Sequence, residues 1–293
     1  MTPGPAGPVV VAVFSHRDPP QVRRLVERLL EGRRTVALVH HDPRGPRLDL
    51  PADDRVVVVP DPQPCDWGRI GFAQAMLRSL DLGVQAAPDL SWLLMVSGQD
   101  YPCRSLRQVE DELATAPADA YLRWLPVGAP ADDEHPWQAR CRDRYLHRVR
   151  VPFSRRHVPF PRRSPFRGGT GLYIGDTWPN LGARAVAHVR AQAALRARVE
   201  PHLRWCQSPD EALLPTLLLN GAGDLRVVSD RRRFLRWVEG EPHPRLLTAE
   251  DAPAIVASTD FFARKIDSVG SAALLDLLDD AAAGAPRPGG GAP

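Results

Sequence analysis

The stretch Val9-Val10-Val11-Ala12-Val13-Phe14 decides the fold class. An uninterrupted apolar run of this length is typical of a strand that is buried on both faces of a sheet. A helix is predicted next, because apolar residues recur at helical spacing from Val22 to Leu30 and the pattern ends at Gly32. Further strands are predicted at 35–39 and 55–59. This order predicts an α/β fold with a mostly parallel sheet and flanking helices.

The alternation of strand and helix patterns continues along most of the chain, and no linker divides it. One domain is therefore predicted over residues 9–283, with disordered proline- and glycine-rich tails at 1–8 and 284–293. A basic, proline-rich region at 126–170 shows little periodicity and is predicted as a long loop. The other predicted elements are a helix of about 15 residues after Arg69, strands at 91–96 and 120–125, helices at 105–116 and 181–198, and short strands at 225–228 and 234–238.

The composition is that of an ordinary globular protein, with 43% hydrophobic and 25% charged residues among 293. A net charge of +3 is too small to indicate nucleic-acid binding. The four cysteines lie far apart, without the spacing of a zinc site, which favours a reducing compartment. No apolar run is long enough to span a membrane and no secretory signal pattern is present, so a cytoplasmic protein is predicted.

A second informative stretch, Ser208-Pro209-Asp210-Glu211, precedes an apolar helical stripe over 213–218. Ser208 is predicted to cap the helix and Pro209 to occupy its first position. Both acids then lie in the first turn, where the helix dipole favours negative charge. A carboxylate at the start of a helix that is fixed in the core is well placed to act as a general base. The other interpretation is that the two acids only cap the helix.

Cationic residues near the C-terminal end are the candidates for binding a phosphate group. No two aspartates are separated by a single residue, so the sequence lacks the Asp-x-Asp motif with which many nucleotide-sugar enzymes hold a divalent metal. A diphosphate would then need cationic side chains, and Arg264-Lys265 is an adjacent pair with several donors. The apolar neighbours Phe262 and Ile266 favour partial burial, although an exposed pair in contact with water is the other interpretation.

Six short motifs occur in an order that is informative. They are Phe14-Ser15-His16-Arg17-Asp18-Pro19, His40-His41-Asp42, Trp67-Gly68, Ser97-Gly98-Gln99-Asp100-Tyr101-Pro102, Ser208-Pro209-Asp210-Glu211 and Phe262-Ala263-Arg264-Lys265. Together they resemble the core-2/I-branching β-1,6-N-acetylglucosaminyltransferase and peptide O-xylosyltransferase family, from about Val9 to Lys265. The resemblance implies a glycosyltransferase-A-like fold, UDP-sugar donors, inversion at the anomeric carbon and no need for a metal.

The same resemblance implies roles for individual residues. Glu211 would be the catalytic base that deprotonates the acceptor hydroxyl, and Arg264 and Lys265 would hold the diphosphate. Asp42 and Asp100 would lie near the nucleotide and the sugar, at the C-terminal ends of their strands. From the residues alone, both aspartates could also be turn residues that bond to their own backbone.

One segment departs from the family pattern. Gly175-Asp176-Thr177-Trp178 stands where the family usually has Gly-Ser-x-Trp before a helix. The resemblance places this segment near the donor sugar or the acceptor, so Asp176 and Trp178 are predicted to bind substrate. Trp178 could stack on a sugar face or be a core aromatic residue. Asp210 is predicted to cap and orient the first turn and to bind substrate.

These features and the resemblance together imply an inverting glycosyltransferase of bacterial type that uses neither a metal ion nor a cofactor. It would move a GlcNAc- or xylose-like sugar from a UDP-sugar to an acceptor hydroxyl, in natural-product or glycan biosynthesis. The predicted partners are a nucleotide-sugar donor and a small-molecule or glycan acceptor, without nucleic acid or a membrane span. Two alternatives stay open: a nucleotide-sugar-binding module without turnover, and a glycoside hydrolase that uses Glu211 and Asp176.

Overall fold

The computed structural model describes residues 7–66, 68–128, 136–151, 154, 156–241 and 243–284. The predicted disordered tails fall almost entirely outside the described residues, and so does Trp67 of the Trp-Gly motif. The described chain forms two compact units. The first unit comprises residues up to 59, 96–116 and from 232 onward, and the second comprises 60–95 and 117–231. The prediction of one domain over 9–283 stays a prediction.

Strands and helices alternate through much of the chain. In chain order the elements are β1 (Val9–Ser15), α1 (Pro19–Leu29), β2 (Thr35–His41), β3 (Val56–Val58), α2 (Ile70–Ala86), β4 (Trp92–Ser97), β5 (Tyr101–Pro102), α3 (Leu106–Ala114), β6 (Ala120–Tyr121), β7 (Trp124–Pro126), α4 (Pro136–Arg142), a π-helical turn (Asp143–His147), β8 (Arg148–Arg150), β9 (His157–Pro159), β10 (Tyr173–Gly175), β11 (Asn180–Gly182), α5 (Ala183–Ala191), α6 (Ala193–Leu203), α7 (Asp210–Leu219), β12 (Val227–Val228), β13 (Arg233–Leu235), a 3-10 turn (Ala249–Asp251), α8 (Ala252–Val256), β14 (Phe262–Arg264) and α9 (Ala272–Ala283).

The first unit is built on the predicted opening strands. All seven residues of β1 are buried, and β1 is parallel to β2, which is parallel to β3. The intervening helix α1 buries Val22, Leu25, Val26 and Leu29, the apolar face that the sequence indicates. A smaller sheet has the order β13-β14-β5, in which β13 is parallel and β5 antiparallel to β14. This small sheet places the Arg264-Lys265 pair at the end of β14.

The second unit has a mixed sheet and a buried central helix. Strand β11 pairs antiparallel with β4 and β6, and β12 pairs parallel with β6. Residues up to Met95 of β4 belong to this unit, whereas Val96 and Ser97 belong to the first. Helix α7 is buried from Ala212 to Leu218, and Thr216 exchanges hydrogen bonds with the backbone of Tyr173 in β10. A helix buried on nearly all sides holds its first turn in a fixed position.

The fold class is confirmed, since the chain is α/β and its main sheet is mostly parallel. No helix in the described ranges is long and apolar enough to cross a lipid bilayer.

Two element predictions are wrong in detail. The pattern at 181–198 contains the end of strand β11, then α5, and then α6, which begins after a break at Gln192. Pairing of Leu181 with Leu93 and Ala120 in the sheet overrides its helical propensity. At the break, the Gln192 side chain donates to Asn220 O at 2.7 Å, just beyond the end of α7. The predicted strand at 120–125 is divided between β6 and β7.

The prediction of a structureless loop at 126–170 is also wrong where the structure describes this region. It contains α4, the π-helical turn and the antiparallel hairpin of β8 and β9. These elements are short, and their side chains are largely polar, so no apolar period marks them in the sequence. The region contributes residues to the candidate site.

Candidate active site

The first turn of α7 is shaped by the backbone of Ser208 rather than by its side chain. Ser208 has a φ of 53°, and its carbonyl accepts hydrogen bonds from Glu211 N at 3.1 Å and from the Tyr145 hydroxyl at 2.8 Å. Its own N–H donates to Gly68 O at 3.2 Å. The predicted side-chain cap by Ser208 is therefore wrong, and Pro209 occupies the cap position. The left-handed turn directs the Ser208 carbonyl toward the amides of the helix start.

Two side chains from the π-helical turn contact the Glu211 carboxylate. Arg144 Nη1 lies 3.1 Å from Oε2, and the buried Tyr145 hydroxyl donates to the same oxygen at 3.4 Å. Burial keeps the pKa of Tyr145 well above its usual value, so its hydroxyl stays protonated as a donor. The Glu211 side chain itself is 36% exposed. It is thus held in place by two donors while part of it remains open to solvent.

The environment of Glu211 suits proton transfer near neutral pH. Burial raises the pKa of Glu211 to about 7, the neighbouring Asp210 charge adds to the rise, and Arg144 and Tyr145 oppose it. A carboxylate with such a pKa is ionised in a large fraction of molecules at neutral pH and still has appreciable basicity. This combination is what a general base requires.

Asp210 lies beneath the surface beside Glu211. It is 9% exposed, and its Oδ2 accepts a hydrogen bond from the Thr177 hydroxyl at 3.2 Å. Its Oδ1 has no hydrogen-bond partner among the residues that the structure describes. Burial raises the pKa of Asp210 to about 6. The contact with Thr177 brings the 175–178 segment to the start of α7, as the sequence prediction of a shared site requires.

The other two predicted substrate-binding residues lie in that same segment. Asp176 Oδ2 is 3.0 Å from Arg231 Nε, and the Asp176 charge is among those that raise the pKa of Glu211. Trp178 is partly exposed and packs against Phe72 in α2, with 5.5 Å between ring centroids. The second unit therefore brings Asp176, Trp178, Asp210 and Glu211 into one neighbourhood.

The Arg264-Lys265 pair of the first unit ends β14 and is partly buried. The backbone is fixed on both sides, since Leu247 N donates to Lys265 O at 2.8 Å and Ile266 N donates to Gln99 O at 2.9 Å. The pKa of Lys265 is lowered by burial and then by the positive charges of Arg264 and Arg17. Within the described ranges, no carboxylate lies within ion-pair distance of the Lys265 ammonium. Three cations thus lie together, and two of them, Lys265 and Arg17, form no ion pair within the described ranges.

Lys265 is also the only lysine among the 293 residues, all other cationic side chains with a fixed charge being arginine. An ammonium is a compact point charge on a flexible stem, whereas a guanidinium is a planar fork. The sequence itself shows this feature, and the prediction from motifs did not use it. It singles out position 265 independently of any motif.

Asp100 is 0% exposed and forms the centre of a buried ion-pair network in the first unit. Arg233 Nε lies 2.7 Å from Oδ1, and Arg264 Nη1 lies 3.8 Å from Oδ2. Oδ2 also accepts from the Ser97 amide at 2.7 Å and from the Ser97 hydroxyl. In this arrangement Asp100 positions Arg264 rather than presenting its own carboxylate to a ligand. A direct contact of Asp100 with nucleotide or sugar stays a prediction.

Asp42, which follows β2, is also buried and paired with an arginine. It is 3% exposed, and the Arg44 guanidinium contacts both of its carboxylate oxygens, at 3.0 Å and 2.8 Å. Its backbone amide donates to Ser15 O at 2.8 Å, at the end of β1. Asp42 therefore shapes the loop beyond the two parallel strands, and its contact with nucleotide stays a prediction.

Arg144, Tyr145 and Arg233 are the residues of these two clusters that sequence reasoning missed. The first two come from the region without periodicity, and Arg233 is one of three consecutive arginines at 231–233. Nothing in the local sequence marks these three residues as site residues, because only folding brings their partners to them. In the described parts of the chain, no group of three His, Cys, Asp or Glu side chains is arranged to hold a metal ion.

Comparisons with known proteins give one informative match. No curated protein matches the chain. A solved structure from Bacillus anthracis, provisionally assigned as a glucose-1-phosphate thymidylyltransferase and determined in complex with sucrose, is 11% identical. The alignment covers 75% of this chain and 86% of that one, with a TM-score of 0.33, and we draw nothing from it.

The family model described as Core-2/I-Branching enzyme matches residues 39–261, more than half of the chain. The matched range includes Asp42, Asp100 and Glu211 and ends three residues before Arg264. Members of this family are glycosyltransferases, which use a nucleotide-sugar donor and an acceptor. The non-catalytic and glycosidase alternatives are therefore set aside, and the chain belongs to the Core-2/I-branching enzyme family of glycosyltransferases.

Proposed function

We propose that the protein transfers a GlcNAc- or xylose-like sugar from a UDP-sugar to an acceptor hydroxyl, with inversion at the anomeric carbon and without a metal ion. The observation that carries this proposal is the environment of Glu211. A partly exposed carboxylate with a pKa near 7 stands at the start of a buried helix, held by Arg144 and Tyr145. In a glycosyltransferase, such a group is suited to activate the acceptor.

The proposed reaction is a single displacement. Glu211 removes the proton from the acceptor hydroxyl as the acceptor oxygen forms a bond with the anomeric carbon. On the opposite face, the bond between this carbon and the diphosphate oxygen breaks, and its electron pair leaves with UDP. Inversion follows because attack and departure occur on opposite faces. One base is sufficient, and Glu211 ends the step as a neutral carboxylic acid.

The second requirement of this chemistry is stabilisation of the negative charge on the departing UDP. We assign this stabilisation to Lys265 and Arg264, assisted by Arg17. The positive charge of Arg17 contributes to lowering the pKa of Lys265. Fixed cations that are partly withdrawn from water stabilise a developing diphosphate charge more strongly than exposed ones. The absence of an Asp-x-Asp motif from the sequence supports cationic side chains in the place of a metal.

The acceptor side is assigned to the segment from Asp176 to Trp178. The partly exposed indole of Trp178 offers an apolar face for a sugar ring. Asp210 holds the segment through Thr177 and so couples it to the start of α7. We place the reaction in cytoplasmic natural-product or glycan biosynthesis, on the prediction that the acceptor is a small molecule or a glycan precursor.

The test of this proposal is UDP release from a panel of UDP-sugars, with UDP-GlcNAc and UDP-xylose as the principal donors and EDTA present. We expect transfer to continue in EDTA, with the product anomer inverted relative to the donor. Activity that appears only after Mn²⁺ is added would refute the metal-free mechanism.

Substitution of Lys265 by Ala is expected to weaken UDP binding by about 10- to 100-fold, the usual effect of losing a charge-assisted bond to phosphate. Titration calorimetry with UDP measures the change directly. Arg107→Ala, which removes an exposed cation of the same unit, is the control and should leave the affinity unchanged. Equal affinities of Lys265→Ala and wild type would exclude Lys265 from the diphosphate site.

The single lysine permits a second measurement on the unaltered protein. An amine-directed acylating reagent has two types of target, the N-terminal amine and Lys265, whose lowered pKa favours the reactive free amine. UDP should protect Lys265 from acylation, and uridine, which lacks the diphosphate, should not. Peptide mass spectrometry distinguishes the two amines.

A further inference from the structure

A basic cleft of about 660 Å³ lies in the second unit, between the 162–168 segment and helix α6. Its volume is that of a typical small-molecule site. The lining residues used in the argument are Arg162, Arg163, Arg167, Arg198, His202 and Trp205. Four arginines thus line one cleft, and no carboxylate lines it in the part of the chain that the structure describes. No role in the reaction above accounts for it.

The arginines of the cleft lack the carboxylate partners that some other exposed arginines have. Arg184 forms ion pairs with Asp119 and Asp224, and Arg190 forms one with Asp81. Within the described residues, none of the four cleft arginines pairs with a carboxylate. Their positive charge is therefore available to an anion from solution.

The floor of the cleft is rigid. Arg162 donates to the backbone carbonyls of His202, Tyr145 and Arg148 at 2.8, 3.0 and 3.2 Å. These acceptors are neutral, so they fix the guanidinium without compensating its charge. Burial lowers the pKa of His202 to about 4, and its neutral ring contacts Tyr145 O at 2.8 Å. The floor thus carries one fixed positive charge.

The rim of the cleft combines exposed cations with an aromatic surface. Arg163, Arg167 and Arg198 are exposed, and Arg198 also donates to the Thr170 hydroxyl. Trp205 is 45% exposed, which leaves an indole face accessible beside them. Guanidinium forks match the oxygens of phosphate and sulfate, and an indole packs on the apolar face of a sugar ring.

The cleft is one residue away from the candidate base. Tyr145 receives hydrogen bonds from Arg162 and His202 at its carbonyl and donates from its hydroxyl to Ser208 O and Glu211. Arg162 and His202 therefore connect the cleft lining to the buried residue that contacts Glu211. All of these residues belong to the second unit.

We propose that this cleft binds the oxyanion of a phosphorylated or sulfated sugar, with the arginines on the ester group and Trp205 on the ring. The site does not depend on the proposed function, in which the acceptor is assigned to the segment from Asp176 to Trp178. The ester group gives the ligand its affinity, and the neutral part of the sugar adds the contact with Trp205.

Titration calorimetry with glucose 6-phosphate, glucose 6-sulfate and glucose tests the site. We expect both esters to bind at least about tenfold more tightly than glucose, and the tighter ester identifies the source of the oxyanion. The triple variant Arg163→Ala, Arg167→Ala, Arg198→Ala should lose this preference. A control that removes three exposed arginines outside the cleft, Arg23, Arg107 and Arg190, should retain it, which separates a built site from general charge.

Equal binding of esters and glucose by the wild type would overturn the proposal, as would unchanged ester binding in the triple variant. Trp205→Ala should weaken the binding of glucose 6-phosphate and leave that of inorganic phosphate unchanged. Because Glu211→Gln should bind the esters as the wild type does, failure of sugar transfer and failure of this site are distinguishable.

Discussion

Replacement of Glu211 by Gln is expected to lower kcat for sugar transfer by about 10²- to 10⁴-fold, the range that a positioned general base contributes. The amide keeps the shape of the side chain and can still accept a bond from Tyr145, but it cannot take a proton from the acceptor. The rate of UDP-sugar consumption in the presence of acceptor measures the loss. Binding of UDP should be unaffected, since we assign the diphosphate to Lys265 and Arg264.

A matched variant separates loss of the base from a general effect of removing a carboxylate. Glu250 is exposed at the 3-10 turn, and Glu250→Gln should retain the wild-type kcat. A Glu211→Gln enzyme that transfers sugar at more than about a tenth of the wild-type rate would show that another group is the base, with Asp210 as the nearest carboxylate.

Replacement of Asp100 by Asn is expected to lower the free energy of unfolding by about 3–5 kcal/mol, the cost of removing one partner of a buried ion pair. The Arg233 guanidinium lies 2.7 Å from Asp100, and both side chains are almost fully buried. Without the carboxylate, Arg233 keeps a buried charge and loses the counterion that lies 2.7 Å away. Urea denaturation followed by circular dichroism gives the change in midpoint and slope.

An exposed ion pair of the same unit provides the comparison. Asp49 pairs with Arg23 at 3.1 Å, but its side chain is mostly exposed, so Asp49→Asn should leave the stability nearly unchanged. Because Arg264 also lies near Asp100, the Asn variant should weaken UDP binding as well. Equal stabilities of the Asp100→Asn and Asp49→Asn variants would refute the buried network as a source of stability.

Much of the fold follows from local patterns, because an element that is buried on both faces has a nearly continuous apolar sequence. The apolar run at 9–14 is a buried strand, and the leucines of 213–218 lie in the core. The prediction is wrong where pairing with a distant strand decides the outcome, as at Leu181 in β11. Such pairing depends on residues far away in the chain, which no local period reports.

The candidate site likewise contains residues that local motifs predict and residues that only long-range contacts reveal. Glu211 and Lys265 could be proposed from short motifs, since the chemistry of each requires a particular side chain at a helix or strand end. Arg144 and Tyr145 could not, because their contact with Glu211 joins segments more than 60 residues apart. Asp100 was predicted to lie near the nucleotide and the sugar, whereas its full burial and its contact with Arg233 emerge only from the folded chain.

The most direct test of the central claim is the pH dependence of kcat/KM for sugar transfer, from about pH 5 to about pH 9. The pKa of Glu211 is raised to about 7, so at lower pH the carboxylate is protonated and cannot accept the acceptor proton. We predict that kcat/KM falls below an apparent pKa of about 7. Arg144→Met should move this limb to higher pH, because it removes a positive charge that favours the ionised form. A kcat/KM that stays constant as the pH falls from about 8 to about 5 would contradict Glu211 as the base.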